Sequence, residues 1–206
     1  ANEVPWSASL AWIRARCRLE EEANGGGIDE EDAAYPAYYR APFHAYARGN
    51  LCWEAAFEQE IASAAVGARN YPAHGRDGEA AFRGAFDDAF DRLGARVQHG
   101  GLVVDLGCGT GASTRRLATR FARDAGQVVG VDLSPYFLAV ARTLLNVAAE
   151  ETTTTNASSS STGCSSSWVG PLFEWDRLLG GTAERTPPKD AVVNLIDFVR
   201  ADAARL

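Results

Sequence analysis

The feature that most constrains this chain is a short apolar run that leads directly into closely spaced glycines. Leu102–Leu106 is apolar except for Asp105. Glycine then occupies every second position, at Gly107, Gly109 and Gly111. Glycine accepts positive φ and lets a ligand lie against the backbone, and a following helix offers free N–H groups to a carboxylate or phosphate. The sequence therefore predicts a strand, a tight ligand-binding turn and a helix that starts near Ser113.

Two classes of nucleotide-type ligand fit this turn. Gly107, Gly109 and Ala112 satisfy the G-x-G-x-x-A pattern of dinucleotide sites. Asp105 favours the other class, because a carboxylate two residues before the first glycine would repel a pyrophosphate and attract a cation. S-adenosylmethionine carries a sulfonium, an ammonium and a single carboxylate, so the charges favour it over NAD.

The segment VVDLGCGTG, residues 103–111, resembles the first motif of class I S-adenosylmethionine-dependent methyltransferases. The segments 41–46 and 49–53 also resemble plant and algal methyltransferase-like proteins. The resemblance implies an α/β, Rossmann-like parallel sheet, S-adenosyl-L-methionine as cofactor and methyl transfer to a small-molecule acceptor. The alternative is a structural glycine turn in another kind of α/β protein.

A second apolar run, Gln127–Asp132, predicts a second strand parallel to the first. The helix between them is expected to bury Leu117, Phe121 and Ala125, and to end at Gly126. Asp132 follows Gly111 by 21 residues, a spacing at which an acidic residue can bind both ribose hydroxyls of an adenosine. Taken alone, Asp132 would be explained as a residue of the strand-to-helix turn.

Further cofactor contacts are implied by the resemblance alone. Leu133 would offer an apolar surface to adenine. After a third strand at Ala191–Val199, Asp202 would contact the exocyclic amine of adenine and the backbone N–H of Ala203 a ring nitrogen. The predicted cofactor-binding set is Asp105, Gly107, Cys108, Gly109, Gly111, Asp132, Leu133, Asp202 and Ala203. Cys108 is interpreted as a small filler of the turn, and no catalytic residue or metal ligand is assigned.

The chain before the glycine turn is expected to be helical with an aromatic segment. Residues 6–19 carry an amphipathic stripe, for which the remnant of a targeting peptide is an alternative use. An acidic, glycine-bearing linker closes a first unit, residues 1–34. Residues 35–99 hold the aromatic segment and two helices, each expected to bury one face, with stripes at Trp53, Phe57, Ile61 and Ala65, and at Phe82, Phe86, Phe90, Leu93 and Val97. The aromatic rings either close the edge of the core or form a lid, with Tyr39, His44 and Tyr46 as polar groups.

Residues 100–206 form the predicted cofactor-binding half-domain. Ser134 and Pro135 have the pattern of a helix start, and the helix they open is followed by a low-complexity Thr/Ser tract. We interpret residues 150–190 as an insertion with a flexible beginning. Members of the resembled family have seven strands, whereas three are predicted here. The first strand would then be an open apolar edge, in a fragment of a longer product or beneath a protein partner.

Composition argues against several classes of function. A formal net charge of −7 gives no basic footprint for nucleic acid, and no apolar run approaches the ~18 residues of a membrane span. The four cysteines lack zinc or disulfide spacing, so we expect a soluble protein of a reducing compartment, cytoplasm or plastid stroma. The chain contains no methionine, so we expect that an N-terminal segment has been removed.

Three hypotheses about function remain open at this stage. The first is an S-adenosylmethionine-dependent methyltransferase or its cofactor-binding half. The second is a non-catalytic methyltransferase-like subunit with a role in assembly. The third is an NAD-dependent oxidoreductase, which keeps the glycine pattern but leaves Asp105 unexplained.

Overall fold

The computed structural model describes residues 4–23, 35–157 and 189–203. The helices are α1 (Trp6–Ala23), α2 (Trp53–Asn70), α3 (Gly78–Arg92), α4 (Ala112–Phe121), α5 (Pro135–Ala157) and α6 (Lys189–Val193). The strands are β1 (Gly101–Leu106), β2 (Ala125–Asp132) and β3 (Ile196–Arg200). Short 3-10 turns lie at Ala37–Arg40 and Pro72–Asp77. Within these ranges no helix has the length and apolar character needed to cross a bilayer.

The described strands form one parallel sheet in the order β1-β2-β3. Asp105 of β1 pairs with Gly130 of β2, and Gly130 pairs with Phe198 of β3. Because the strands are parallel, their carboxyl ends lie at one edge of the sheet, where the glycine turn begins. The predicted fold class is confirmed: the protein has a partial, Rossmann-like α/β fold of three strands with a helical region before it.

The N-terminal helices pack on α5 rather than forming a core of their own. Ile13 of α1, Phe57 and Ile61 of α2, and Tyr136 and Val140 of α5 belong to one buried cluster. The predicted helices over residues 6–19 and from Trp53 onward are thus confirmed. In the first helix Ile13 and Cys17 are buried, whereas Trp6, predicted in the same stripe, is 37% exposed. The boundary near residue 34 stays a prediction, and residues 24–34 of the linker lie outside the described part of the chain.

Helix α5 begins where the sequence indicates. It starts at Pro135, and the Ser134 hydroxyl accepts a 3.2 Å hydrogen bond from the N–H of Phe137. The helix continues to Ala157. The first threonines of the low-complexity tract are therefore helical, where the sequence predicted a flexible beginning. The remainder of the predicted insertion, residues 158–188, lies outside the described residues.

The predicted boundary between α4 and β2 is wrong. Helix α4 ends at Phe121, and Ala125 and Gly126 belong to β2. Ala125 pairs with Gly101 in the sheet, so it is a strand residue and not part of the helical stripe. Gly126 does not end a helix but allows the backbone at Gly100 to lie close to β2. A Cβ on Gly126 would lie 2.6 Å from the carbonyl oxygen of Gly100.

The third strand is shorter than predicted. Residues 191–193 belong to α6, and β3 covers only Ile196–Arg200. Val192 is completely buried in the cluster beneath β2, so its apolar character reflects burial in a helix. A continuous apolar run cannot distinguish a buried strand from a buried helical turn by periodicity alone.

The aromatic stripe of α3 is also not buried as predicted. Phe82 and Phe86 are 44% and 54% exposed, and Leu93, beyond the helix end, is 83% exposed. Helix α3 instead packs closely against α2 at Gly67. A Cβ at this position would lie only 2.3 Å from the backbone nitrogen of Glu79. The phenylalanines pack on each other edge to face, with ring centroids 5.2 Å apart.

Candidate functional site at the glycine turn

The turn after β1 adopts the backbone conformation that its glycines permit. Gly107, Gly109 and Gly111 have φ values of 74°, 57° and 83°. A Cβ at Gly111 would lie 2.6 Å from the Phe198 ring, whereas a Cβ at Gly107 would meet nothing within 4 Å. Helix α4 starts after Gly111, and glycine has no side chain that could accept hydrogen bonds from the free N–H groups of the first helical turn.

Asp132, at the end of β2, is the carboxylate that the structure joins to this turn. It is 8% exposed, and its Oδ2 accepts a 2.8 Å hydrogen bond from the N–H of Gly109. Its Oδ1 accepts from the N–H of Ser134 at 2.8 Å and from the Tyr39 hydroxyl at 3.1 Å. Burial and the adjacent Asp132 carboxylate raise the pKa of Tyr39, so its hydroxyl keeps the proton that it donates.

Asp105 is a residue of β1 whose side chain contacts the start of α4. Its Oδ2 accepts hydrogen bonds of 2.7 Å from the hydroxyls of both Ser113 and Thr114. It also lines a cavity of about 230 Å³ between α3 and α4, together with Phe86 and Arg116. The carboxylate thus holds the first turn of α4 against β1, while Asp132 contacts the middle of the glycine turn.

Cys108 is buried inside the turn. It is 4% exposed and packs in a cluster with Leu138 and Phe198. Burial, with smaller contributions from the carboxylates of Asp132 and Asp105, raises the pKa of the Cys108 thiol to about 12. A protonated, enclosed thiol is a poor nucleophile, which agrees with the interpretation of Cys108 as a filler.

The remaining predicted contacts lie at the neighbouring strand ends. Leu133 is half-buried against the cluster shared by the N-terminal helices and α5. The N–H of Ala201 donates to the carbonyl oxygen of Asp132 at 3.2 Å, which places the residues after β3, Asp202 and Ala203, beside the end of β2. The structure thus brings the glycines, Asp132 and the end of β3 to one edge of the sheet.

Helix α2 contacts the glycine turn, which the sequence does not indicate. The Gln59 side-chain oxygen accepts from the N–H of Thr110 at 2.6 Å, and a Cβ on Gly109 would lie 2.0 Å from the Gln59 amide nitrogen. Glu60 accepts from the Thr110 hydroxyl at 2.9 Å and from Arg115 at 2.7 Å. The local sequence shows only that two polar residues, Gln59 and Glu60, lie between the buried Phe57 and Ile61 of α2.

Arg115 of α4 is buried although it carries a charge. The residue is 2% exposed, and its guanidinium also donates to the carbonyl oxygen of Thr110 at 2.9 Å. The Glu60 carboxylate compensates the buried positive charge. This ion pair joins α2 to both the glycine turn and α4. No group of three or more His, Cys, Asp or Glu suited to a metal ion occurs among residues 4–23, 35–157 and 189–203.

A parallel sheet with a glycine turn after β1 and a carboxylate at the end of β2 defines a Rossmann-like domain. Residues 103–164 match the model of a methyltransferase domain family, of the class I S-adenosylmethionine-dependent type. This match confirms the resemblance drawn from residues 103–111, and domains of this class generally use S-adenosylmethionine. No curated protein and no solved structure is significantly similar to the chain.

Proposed function

We propose that the chain is an S-adenosylmethionine-dependent methyltransferase, or the cofactor-binding half of one, acting on a small-molecule acceptor. The observation that carries the proposal is the 2.8 Å hydrogen bond between the N–H of Gly109 and the Asp132 carboxylate. It joins the turn whose sequence matches the family to the carboxylate assigned to the ribose hydroxyls.

The residues present fit a nucleoside at this edge of the sheet. Asp132 Oδ1 accepts from the Tyr39 hydroxyl at 3.1 Å, and a ribose hydroxyl is the same kind of donor. The space that a Cβ on Gly109 would fill is occupied by the end of the Gln59 side chain, which is neutral and flexible, so a ligand has to displace it. We assign Leu133, Asp202 and Ala203 to the adenine, and the backbone of residues 107–111 to the rest of the cofactor.

Asp105 keeps the electrostatic role assigned to it from the sequence. Its carboxylate holds the start of α4 through Ser113 and Thr114, and its charge lies near enough to the glycine turn to contribute to the raised pKa of Cys108. That charge favours a cationic ligand over a pyrophosphate at the same place.

S-adenosylmethionine supplies a methyl group that is already activated on a positively charged sulfur. The residues of this chain have to bind the cofactor and acceptor, align them and exclude water. The segment with Tyr39, His44 and Tyr46 lies over α2 and the end of β2, which suits a lid for this purpose. No side chain is assigned as a general base.

A second candidate function is a methyltransferase-like subunit that serves assembly. The observation that favours it is one face of β1, where Leu102, Val104 and Leu106 are 61%, 44% and 56% exposed. In the described part of the sheet, β1 pairs only with β2, so its other edge is open as the sequence predicted. An exposed apolar row of this kind suits a protein partner.

Titration calorimetry with S-adenosylhomocysteine and with NAD tests the proposal. We expect S-adenosylhomocysteine to bind and NAD to give no heat above dilution. The reverse preference would support an oxidoreductase and overturn the proposal. If S-adenosylhomocysteine binds but labelled S-adenosylmethionine transfers no methyl group to any small molecule of a cell extract, the assembly subunit is favoured.

A further inference from the structure

A cavity of about 640 Å³ lies between α2, α3, the start of α1 and the aromatic segment. Its volume is typical of sites for small organic molecules. Seven of the side chains that line it are aromatic: Trp6, Phe43, His44, Tyr46, Tyr71, Phe82 and Phe137. None of the functions assigned to the glycine turn uses this cavity.

The cavity is separated from the glycine turn by one side chain. Gln59 lines the cavity, and its side-chain oxygen accepts the 2.6 Å hydrogen bond from the N–H of Thr110. A molecule in the cavity would therefore lie next to a ligand held by the turn. This is the position that an acceptor would need.

The charge of the cavity wall is negative. Glu58 and Glu79 line it, and none of its described lining residues is Lys or Arg. Glu79 is compensated, because it forms an ion pair with Arg83 and accepts from the Ser63 hydroxyl. Glu58 accepts a 2.5 Å hydrogen bond from the Tyr46 hydroxyl and forms no ion pair with any described residue.

The turn between Phe43 and Tyr46, which lines the cavity, has an unfavourable backbone conformation. His44 and Ala45 have φ values of 49° and 68°, although neither is glycine. Phe43 and Tyr46 flank them and exchange backbone hydrogen bonds of 3.1 and 2.9 Å. This is the geometry of a two-residue hairpin turn that normally takes Asn-Gly. Such conformations are unfavourable for residues other than glycine and cluster at functional sites.

We propose that this cavity is the acceptor site and that it takes an organic molecule anchored by a cationic ammonium group. The ammonium has no lone pair, so a second, hydroxyl oxygen of the molecule accepts the methyl group: the new C–O bond replaces the methyl–sulfur bond, neutral S-adenosylhomocysteine leaves, and the hydroxyl proton passes to solvent. Aromatic faces attract a cation through their π-electrons, and the uncompensated Glu58 carboxylate adds direct attraction. Burial and the Glu58 carboxylate also raise the pKa of Tyr46. This hydroxyl therefore stays protonated and continues to donate its hydrogen bond to Glu58 in the cavity wall. The assignment as acceptor site rests on the proposed methyltransferase function, whereas the cation preference can be measured without it.

The experiment measures binding of three probes of similar size to the full chain by titration calorimetry. The probes are benzyltrimethylammonium, neutral benzyl alcohol and anionic benzoate. We expect the cation to bind about tenfold more tightly than the alcohol, and benzoate to bind most weakly. Equal affinity for cation and alcohol, or a preference for benzoate, would overturn the inference.

Two variants locate the site. Glu58→Gln keeps an acceptor for Tyr46 but removes the charge, and should abolish most of the preference for the cation. Glu54→Gln is the matched control, since Glu54 is an exposed residue one turn earlier on α2 and does not line the cavity. Phe82→Ala, at a 44% exposed position, should weaken cation binding several-fold without a large effect on the fold. Cation binding that neither Glu58→Gln nor Phe82→Ala reduces would place the ligand elsewhere and contradict the inference.

S-adenosylhomocysteine is titrated into the same samples, so that the two proposals fail separately. Binding of S-adenosylhomocysteine without a cation preference removes the acceptor assignment and leaves the methyltransferase proposal. A cation preference without S-adenosylhomocysteine binding leaves the cation site and removes its assignment as an acceptor site.

Discussion

The backbone N–H of Gly109 donates a 2.8 Å hydrogen bond to the Asp132 carboxylate, so the glycine turn after β1 is joined directly to the end of β2. Because Asp132 is 8% exposed, this contact is largely shielded from water. It places a hydrogen-bonding carboxylate beside a stretch of backbone in which every second residue is glycine.

Replacing Asp132 with asparagine should weaken cofactor binding and also lower stability. The two oxygens of Asp132 accept from the backbone N–H groups of Gly109 and Ser134, so the amide NH2 must face one of these donors. The amide also loses the charge that would accept both ribose hydroxyls. Hydrogen bonds to a charged group contribute about 1.5–3 kcal/mol, so S-adenosylhomocysteine affinity should fall about 10- to 100-fold. Calorimetry measures the affinity, and Asp124→Asn, at an exposed position in the preceding turn, is the control. Unchanged affinity in Asp132→Asn would show that this carboxylate does not contact the ligand.

Alanine at two glycines of the turn should have unequal effects. Both Gly107 and Gly111 have positive φ, which costs an L-residue about 1–2 kcal/mol. Only Gly111 faces an obstacle, since its Cβ would lie 2.6 Å from the Phe198 ring. Urea denaturation should therefore show a clearly larger loss of unfolding free energy for Gly111→Ala than for Gly107→Ala. Equal losses would indicate that the ring moves without resistance.

The glycine turn was predictable because its signal is local: the apolar run, the carboxylate and the glycines lie within ten positions of one another. Asp132 was predictable from its spacing to that turn. The structure of residues 191–193 was not, because a buried helical turn and a buried strand are both continuously apolar.

The contact between α2 and the glycine turn was not predictable for a different reason. Gln59 and Thr110 are 51 positions apart, and no local pattern specifies such a pair. The exposure of Phe82 and Phe86 likewise depends on how α3 approaches α2. A stripe of apolar residues predicts that a helix is amphipathic, but not which of its faces meets a partner.

Removing one partner of the ion pair between Arg115 and Glu60 should destabilise the protein strongly. Their side chains are 3% and 9% exposed, and loss of one partner from a buried pair typically costs about 3–5 kcal/mol. Arg115→Met should therefore lower the midpoint of urea denaturation markedly, and Glu60→Gln in the same chain should recover part of the loss. Asp91→Asn is the comparison, since Asp91 is 66% exposed in its pair with Arg120 and should contribute under about 1 kcal/mol.

Shortening Gln59 should open the glycine turn to a ligand. Its side chain holds the Thr110 N–H and lies against Gly109, where a ligand would approach the backbone. A neutral hydrogen bond contributes about 0.5–1.5 kcal/mol, so Gln59→Ala should bind S-adenosylhomocysteine about 2- to 10-fold more tightly. Weaker binding in calorimetry would instead identify Gln59 as a direct ligand of the cofactor.

The buried thiol of Cys108 should make stability depend on pH in the alkaline range. Its pKa is raised from 9.0 to about 12, chiefly by burial. Above pH 9 the unfolded chain releases this proton while the folded chain retains it, so unfolding becomes easier as the pH rises. The contribution is complete below pH 9 and declines by at most about 1.4 kcal/mol per unit between the two pKa values. Denaturation curves at pH 8 to 10.5 should therefore decline less steeply for Cys108→Ala than for the native sequence, and parallel declines would contradict this origin.

Titration of the 15N-labelled protein with S-adenosylhomocysteine, followed at individual backbone amides by NMR, tests the central claim most directly. The amides of Gly109 and Thr110 should shift strongly and saturate together with those next to Asp132, while amides of the exposed end of α3 remain unchanged. Saturable shifts confined to other parts of the chain, or none at all, would contradict the claim that the glycine turn and Asp132 hold the cofactor.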